Sequence, residues 1–125
     1  MTFHREKPIF QQIIEKVENA ILSDELPPEA RIPGVRDYAL TLEVNPNTVV
    51  RSFAELEQTG TVFKKRGLGY FVATDAKHKI LARRREFFLS HELPQVAAHM
   101  HQLQIGIEVL EALLNRARTE QNEKE

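Results

Sequence analysis

The stretch Val44-Asn45-Pro46-Asn47-Thr48-Val49-Val50-Arg51 decides the fold, and it runs on through Gly60 to Lys64-Lys65-Arg66-Gly67-Leu68-Gly69-Tyr70-Phe71. Asn45 reads as a helix N-cap, because its side-chain oxygen accepts an N–H that the first turn leaves orphaned. Pro46 follows at the first helical position, where its fixed φ is already helical. Val49, Val50, Phe53 and Leu56 then give the helix an apolar face, and Gly60 stands where a helix ends. Beyond it, Val62-Phe63 and Tyr70-Phe71-Val72 flank a Gly-containing turn, a hairpin signal carrying three consecutive cations.

Working outward, Pro8 opens a helix over about 8–22, with Ile9, Ile13, Val17 and Ile21 at i, i+4 spacing. Residues 23–31 contain Pro27-Pro28 and make a loop. Pro33-Gly34 introduces a short helix over about 35–42, whose apolar positions are Tyr38, Ala39 and Leu42. Glu43-Val44-Asn45 is the tight turn before the Asn45-capped helix. After the hairpin, a helical pattern resumes at Ala76 and continues to about His91. Pro94 restarts a last helix over 94–117, in which Val96, Met100, Leu103, Ile107, Leu110 and Leu114 are spaced 4, 3, 4, 3, 4, the seam of a coiled coil. Residues 118–125 are polar and expected to fray. The order is α-α-α-β-β-α-α: a mainly α chain with a small β-hairpin. The expected domains are a winged helix-turn-helix over 1–75, a two-helix dimerisation segment over 76–117, and a polar tail over 118–125.

Composition limits the function. The chain has 125 residues, no cysteine and a formal net charge of −1. Disulfides and thiolate metal sites are thereby excluded, consistent with a reducing cytoplasm. No apolar run nears the roughly 20 residues needed to cross a bilayer, and the polar start does not resemble a signal peptide. The charge is uneven: residues 31–69 carry six Lys/Arg against four Asp/Glu, whereas residues 1–30 carry three against six. Phosphate attraction follows the local field within about a Debye length of 10 Å, so near-neutrality does not exclude DNA. It does argue against a histone-like coat protein.

Two short helices, a three-residue turn and a third helix make a helix-turn-helix. Asn47, Thr48, Arg51, Ser52 and Glu55 are expected opposite the third helix's apolar stripe. Asn can pair with adenine, Thr can touch a thymine methyl or a phosphate, and Arg can reach guanine or phosphate. Glu55 can accept from cytosine or keep phosphate from the far end. Gly67 and Gly69 leave the hairpin tip free of bulk, so its backbone can approach a sugar-phosphate while Lys64, Lys65 and Arg66 supply charge. The bland alternative is a merely capped helix with a solvated face beside a lysine-rich hairpin; order and spacing together favour the specific reading.

Residues 8–73 resemble the winged helix-turn-helix domain of the GntR family of bacterial transcription regulators. The similarity is carried by Pro8-Ile9-Phe10-Gln11-Gln12-Ile13, Arg31-Ile32-Pro33-Gly34-Val35-Arg36, Asn45-Pro46-Asn47-Thr48-Val49, Leu56-Glu57-Gln58-Thr59-Gly60 and Gly67-Leu68-Gly69-Tyr70-Phe71-Val72. The Asn-Pro-Asn-Thr string and the short C-terminal segment are similar to the YtrA-like subfamily, in which two helices pair with a second subunit. The resemblance implies a repressor. It also implies that Arg36, Asn47, Thr48 and Arg51 contact DNA, with Gly67 at the wing tip. Asp24 stands where that family usually has Gly, Pro28-Glu29 replaces a common Pro-Gly, and Gly34 replaces a usual Ser. Pro46 takes a place that other members fill with a DNA-contacting Arg.

The seam, with Phe87, Phe88 and Leu89, exposes more apolar surface than two helices can shield alone, so a homodimer is expected. Arg83-Arg84-Arg85 can reach phosphate or acidic partner residues, but a solvated helix face is the preferred reading. His99 and His101 are two apart and point oppositely on a helix, and His91-Glu92 lacks partners, so no metal site is expected. No P-loop, Gly-x-Ser-x-Gly or His-Glu-x-x-His motif is present, and Gly67-Leu68-Gly69 lacks a dinucleotide-binding context. The chain is therefore expected to be a cytoplasmic DNA-binding regulator and not an enzyme, without cofactor or membrane partner. The alternative is a winged helix used for protein–protein docking.

Overall fold

The computed structural model describes residues 7–124. The first six residues of the expected 1–75 domain and Glu125 of the expected tail lie outside the described residues. The helices are α1 (Ile9–Leu22), α2 (Val35–Leu42) and α3 (Pro46–Gln58), followed by the strands β1 (Val62–Lys65) and β2 (Gly69–Val72). Then come α4 (Ala76–Phe87), a π-helical turn (Phe88–Glu92), α5 (Leu93–Gln102) and α6 (Ile107–Lys124). The chain divides into two compact units, one ending at Arg84 and the other beginning at Arg85.

In the first unit, α1 starts one residue later than expected: Pro8 sits just before the helix and its carbonyl accepts from Gln11 and Gln12. Ile13, Val17 and Ile21 of α1 are buried against Val49, Phe53 and Leu56 of α3, with Ile32, Ala39, Val62, Val72, Ala76 and Ile80 completing the core. Phe53 is its centre, 1% exposed, with edge-on rings from α2 and β2 at 5.6 Å (Tyr38) and 5.2 Å (Tyr70). Burial pushes the Tyr38 phenol above its ordinary pKa, with Glu25 adding to the effect, so the ring stays neutral.

Asn45 caps α3 as the sequence predicts, its Oδ1 accepting from Asn47 N–H at 2.8 Å, with Pro46 in the first turn. The helix closes with Thr61 N–H on Leu56 O and Gly60 N–H on Glu57 O, Gly60 taking φ +77°. Glu43 adopts φ 56° at the end of α2, making the turn into α3. Gly34 caps α2 without a side chain. One half of a capping box remains, Asp37 Oδ2 accepting from Gly34 N–H at 3.3 Å.

The hairpin pairs Val62 with Val72, Phe63 with Phe71, Lys64 with Tyr70 and Lys65 with Gly69. The expected loop 23–31 also contributes a rung of sheet. Val72 N–H donates to Ala30 O at 2.9 Å and Ile32 N–H to Tyr70 O at 2.8 Å, bridging Arg31 to Phe71. β2 is therefore flanked on both edges.

The Arg83–Arg85 cluster is largely exposed, as expected, but two of its cations also reach a buried carboxylate. Arg83 and Arg84 of α4 both pair with Glu18 of α1, the Arg84 contact at 3.0 Å, and Glu18 is 3% exposed. Desolvation lowers the Arg83 guanidinium pKa, with Arg84 adding to it. A carboxylate this buried needs such partners, which the charge run alone could not reveal.

The second unit departs further from expectation. The helix over 94–117 is broken at Leu103–Gly106, where Gln104 takes φ 57°. Ile105 N–H reaches back to Met100 O and Gln104 N–H to His101 O, the same closure that ends α3. Leu103 and Ile107 thus lie on either side of a turn, and the 4-3-4-3-4 seam does not run along one helix. Gly106 is the residue whose presence signals the break. Pro94 does not start a fresh element after a loop; the π-helical turn leads directly into α5, with Pro94 in its first turn. Residues 118–124 are helical, continuing α6 where a fraying tail was expected.

Asp24 and Glu29, where the family resemblance expects Gly, adopt φ 65° and 66°. This is the left-handed region that a side chain disfavours. Glu29→Gly is expected to raise stability by about 0.5–1 kcal/mol, read by thermal unfolding. Asp24→Gly should gain less, because Asp tolerates this region better and here also pairs with Lys77 at 3.0 Å. Conversely, Glu18→Gln strands two half-exposed cations and is expected to cost about 1–2 kcal/mol.

Candidate nucleic-acid interface

α3 has one face in the core and one in solvent. Val49, Ser52, Phe53 and Leu56 are buried, whereas Asn47, Val50, Arg51, Ala54 and Glu55 are exposed and Thr48 is partly so. Two placements correct the sequence reading. Ser52, expected on the exposed face, is wholly buried, its hydroxyl donating to the carbonyls of Phe10 at 2.8 Å and Thr48 at 3.0 Å. It therefore ties α3 to the start of α1 and has no surface to offer DNA. Val50, expected in the apolar stripe, is 50% exposed.

Arg51 is on the open face, with its guanidinium carbon 3.6 Å from the centre of the Phe10 ring. Stacking on an aromatic face restrains a long side chain without neutralising it, so the cation is held in place. Phe10 thus serves twice, through its ring for Arg51 and through its carbonyl for Ser52. The first turn of α3 presents the positive end of the helix dipole beside Asn47 and Thr48. Arg36 is exposed on α2.

On the wing, the three cations do not form one patch. Strand alternation puts successive side chains on opposite faces. Lys65 lies with Phe63 and Phe71, its Nζ 4.5 Å from the Phe71 ring centre, whereas the Lys64 Nζ is 5.7 Å from Tyr70. Arg66 and Gly67 form the tip, where Leu68 N–H closes onto Lys65 O at 2.9 Å. Gly67 has φ +79° with nothing within 4 Å of its Cβ position, so backbone conformation and not crowding calls for Gly.

Arg31 is a residue that the sequence reading did not single out for the site. Its Nε donates to Leu68 O at 2.9 Å, across 37 residues of chain. Its guanidinium lies 3.4 Å from where a Cβ on Gly69 would stand. Arg31 therefore braces the wing tip against the loop before α2. The cation next to Ile32-Pro33 was visible in sequence, but its partner is a backbone carbonyl and leaves no sequence signal.

Residues 9–72 match the family model of the bacterial regulatory proteins, gntR family. The chain belongs to the GntR family. It is 30% identical over 103 residues to the HTH-type transcriptional repressor YtrA of Bacillus subtilis, covering 82% of this chain and 78% of that one. It is 39% identical over 75 residues to the uncharacterized HTH-type transcriptional regulator YhcF of the same organism, spanning 60% of this chain and 62% of YhcF. The crystal structure of a GntR-family transcriptional regulator from Bacteroides thetaiotaomicron superposes with a TM-score of 0.77. It shares 35% identity and covers 91% of this chain and 99% of that one. The fold is the DNA-binding winged helix of transcription regulators, and the similarity to YtrA extends beyond the wing.

No helix among the described residues is long and apolar enough to cross a membrane. No group of three or more His, Cys, Asp or Glu among them is placed to hold a metal ion.

Arg31→Ala removes the brace while leaving the core untouched. Amide exchange at Leu68 and Gly69 is expected to rise by about tenfold, with global stability lowered by less than about 1.5 kcal/mol.

Proposed function

We propose that this GntR-family chain is a transcriptional repressor that acts in the cytoplasm as a homodimer on a palindromic operator. Helix α3 (46–58) enters the major groove and the wing (62–72) lies beside it. The observation that carries the DNA reading is the exposed face of α3. Asn47 and Thr48 open the helix, and Arg51 is braced on Phe10, in the same unit as the wing cations Lys65 and Arg66. Arg36, Asn47, Thr48 and Arg51 are assigned to base and phosphate contact, and Lys64, Lys65, Arg66 and the Gly67 backbone to the flanking phosphates. Ser52 keeps only its structural tie. The similarity to a repressor supports the direction of regulation. We assign no catalytic role, since the exposed groups are those of a binding face and the relatives above are regulators.

The homodimer rests on the second unit. From Arg85 to Lys124 no described residue is buried, and Phe87, Phe88, Val96, Leu103, Ile107 and Leu114 are all exposed large apolar side chains. Met100 and Leu110 are partly covered. A helical unit without a buried side chain cannot offset the entropy of ordering its own chain. A second copy, laying the same apolar surface against this one, supplies the missing core. The break at Leu103–Gly106 means that this surface is presented by two helices joined at a turn, and not by one straight coiled-coil strand.

Light scattering at micromolar concentration is expected to give a dimer; a monomer would overturn the assembly. Duplex selection from random sequences is expected to return two short inverted half-sites. On the selected duplex, Arg51→Ala and Lys65→Ala should each weaken binding and lower the slope of log affinity against log salt by about 1. Equal, weak binding by wild type and both variants would instead favour protein–protein docking.

A further inference from the structure

The sequence pattern places Val50 in the buried stripe of α3, but it is half exposed. It stands on the open face with Asn47, Arg51 and Ala54, at i−3, i+1 and i+4, all of them exposed. This row divides chemically: Asn47 and Arg51 are polar, whereas Val50 and Ala54 are apolar. A single exposed valine on a protein surface would need no explanation. Its position here is different, because it is flanked by the groups assigned above to base contact.

Two neighbours define what Val50 can do. Arg51 is drawn toward α1 by its stack on Phe10, 3.6 Å from ring centre to guanidinium carbon, so its long side chain does not fold back over Val50. Ala54, one turn on, carries only a methyl group and leaves space beside Val50. Valine itself is stiff at χ1, so its methyl groups are presented at little cost in side-chain entropy. The result is a short, fixed apolar knob on the helix face that carries Asn47.

In the major groove of unmodified DNA, the C5-methyl of thymine is the only methyl group on the base edges, which otherwise present hydrogen-bond donors and acceptors and bare C–H positions. We infer that Val50 is a specificity-determining residue that packs against a thymine methyl in each half-site. Asn47 supplies the adjacent hydrogen-bonded readout and Arg51 serves the backbone or a guanine. This inference rests on the reading of α3 as the recognition helix. It adds that each half-site contains a thymine recognised by shape and burial, without a hydrogen bond.

The experiment replaces each thymine of the selected operator in turn by uracil. Uracil removes the C5-methyl and keeps every hydrogen-bonding group. Wild type is expected to lose about three- to tenfold in affinity at one thymine per half-site, the scale of one buried methyl group. Val50→Ala should still bind the operator and show less than about twofold discrimination between thymine and uracil there. Because Val50 lies outside the core, a change in unfolding temperature should be small, and circular dichroism checks that the variant is folded. The inference is overturned if no thymine-to-uracil change affects wild type, or if Val50→Ala discriminates as strongly as wild type. Absence of any salt-dependent duplex binding by wild type would overturn the recognition-helix reading itself, and this inference with it.

Discussion

The Phe53 ring is the contact on which the first unit depends. It comes from the middle of α3, and its two edge-on neighbours come from α2 and from β2. One buried aromatic thus fixes α3 against both the helix before it and the wing after it. Edge-to-face packing is directional, so it sets angles as well as distances. Around this centre Val17 and Ile21 of α1 and Val49 and Leu56 of α3 close the core, leaving the far side of α3 free. The exposed row Asn47-Val50-Arg51-Ala54 is the geometric complement of the buried row Val49-Phe53-Leu56.

A second layer of ties holds α1, α3, α4 and the wing steady at the margin of the core. Phe10 accepts the Ser52 hydroxyl and carries the Arg51 guanidinium, joining α1 to α3 at the end where the first turn of α3 lies open. Arg31 braces the wing tip through Leu68 O. Glu18 gathers Arg83 and Arg84, joining α1 to α4. All three link residues far apart in sequence. Each uses a polar or charged group whose sequence context suggests only a solvated surface. Such ties suit a reader of DNA, because a binding group held in place before contact loses less entropy on binding.

Much of the architecture was legible because local rules and burial agree. Asn45-Pro46 caps α3, Gly60 closes it, and Val62 to Val72 alternates around Gly67 as a hairpin must. The failures have physical causes. Val50 and Ser52 were exchanged between faces because a helical pattern weighs hydrophobicity, whereas the structure needs a hydroxyl inside to hold Phe10 O. The apolar 4-3-4-3-4 spacing suggested a continuous helix because periodicity does not register a turn whose flanking helices resume with similar spacing. The left-handed Gln104, with Ile105 N–H on Met100 O, decides that point.

The sequence by itself determined the order of elements as far as the wing, the helix-turn-helix, the wing and the family to which they belong. Each of these follows from caps, turn residues and short-range apolar spacing. Only the tertiary structure decided which face of α3 is open, that the wing's cations divide between two faces, and that Arg31, Phe10 and Glu18 are structural hubs. Those facts depend on contacts across tens of residues, often to backbone carbonyls, and a carbonyl has the same identity at every position of the chain.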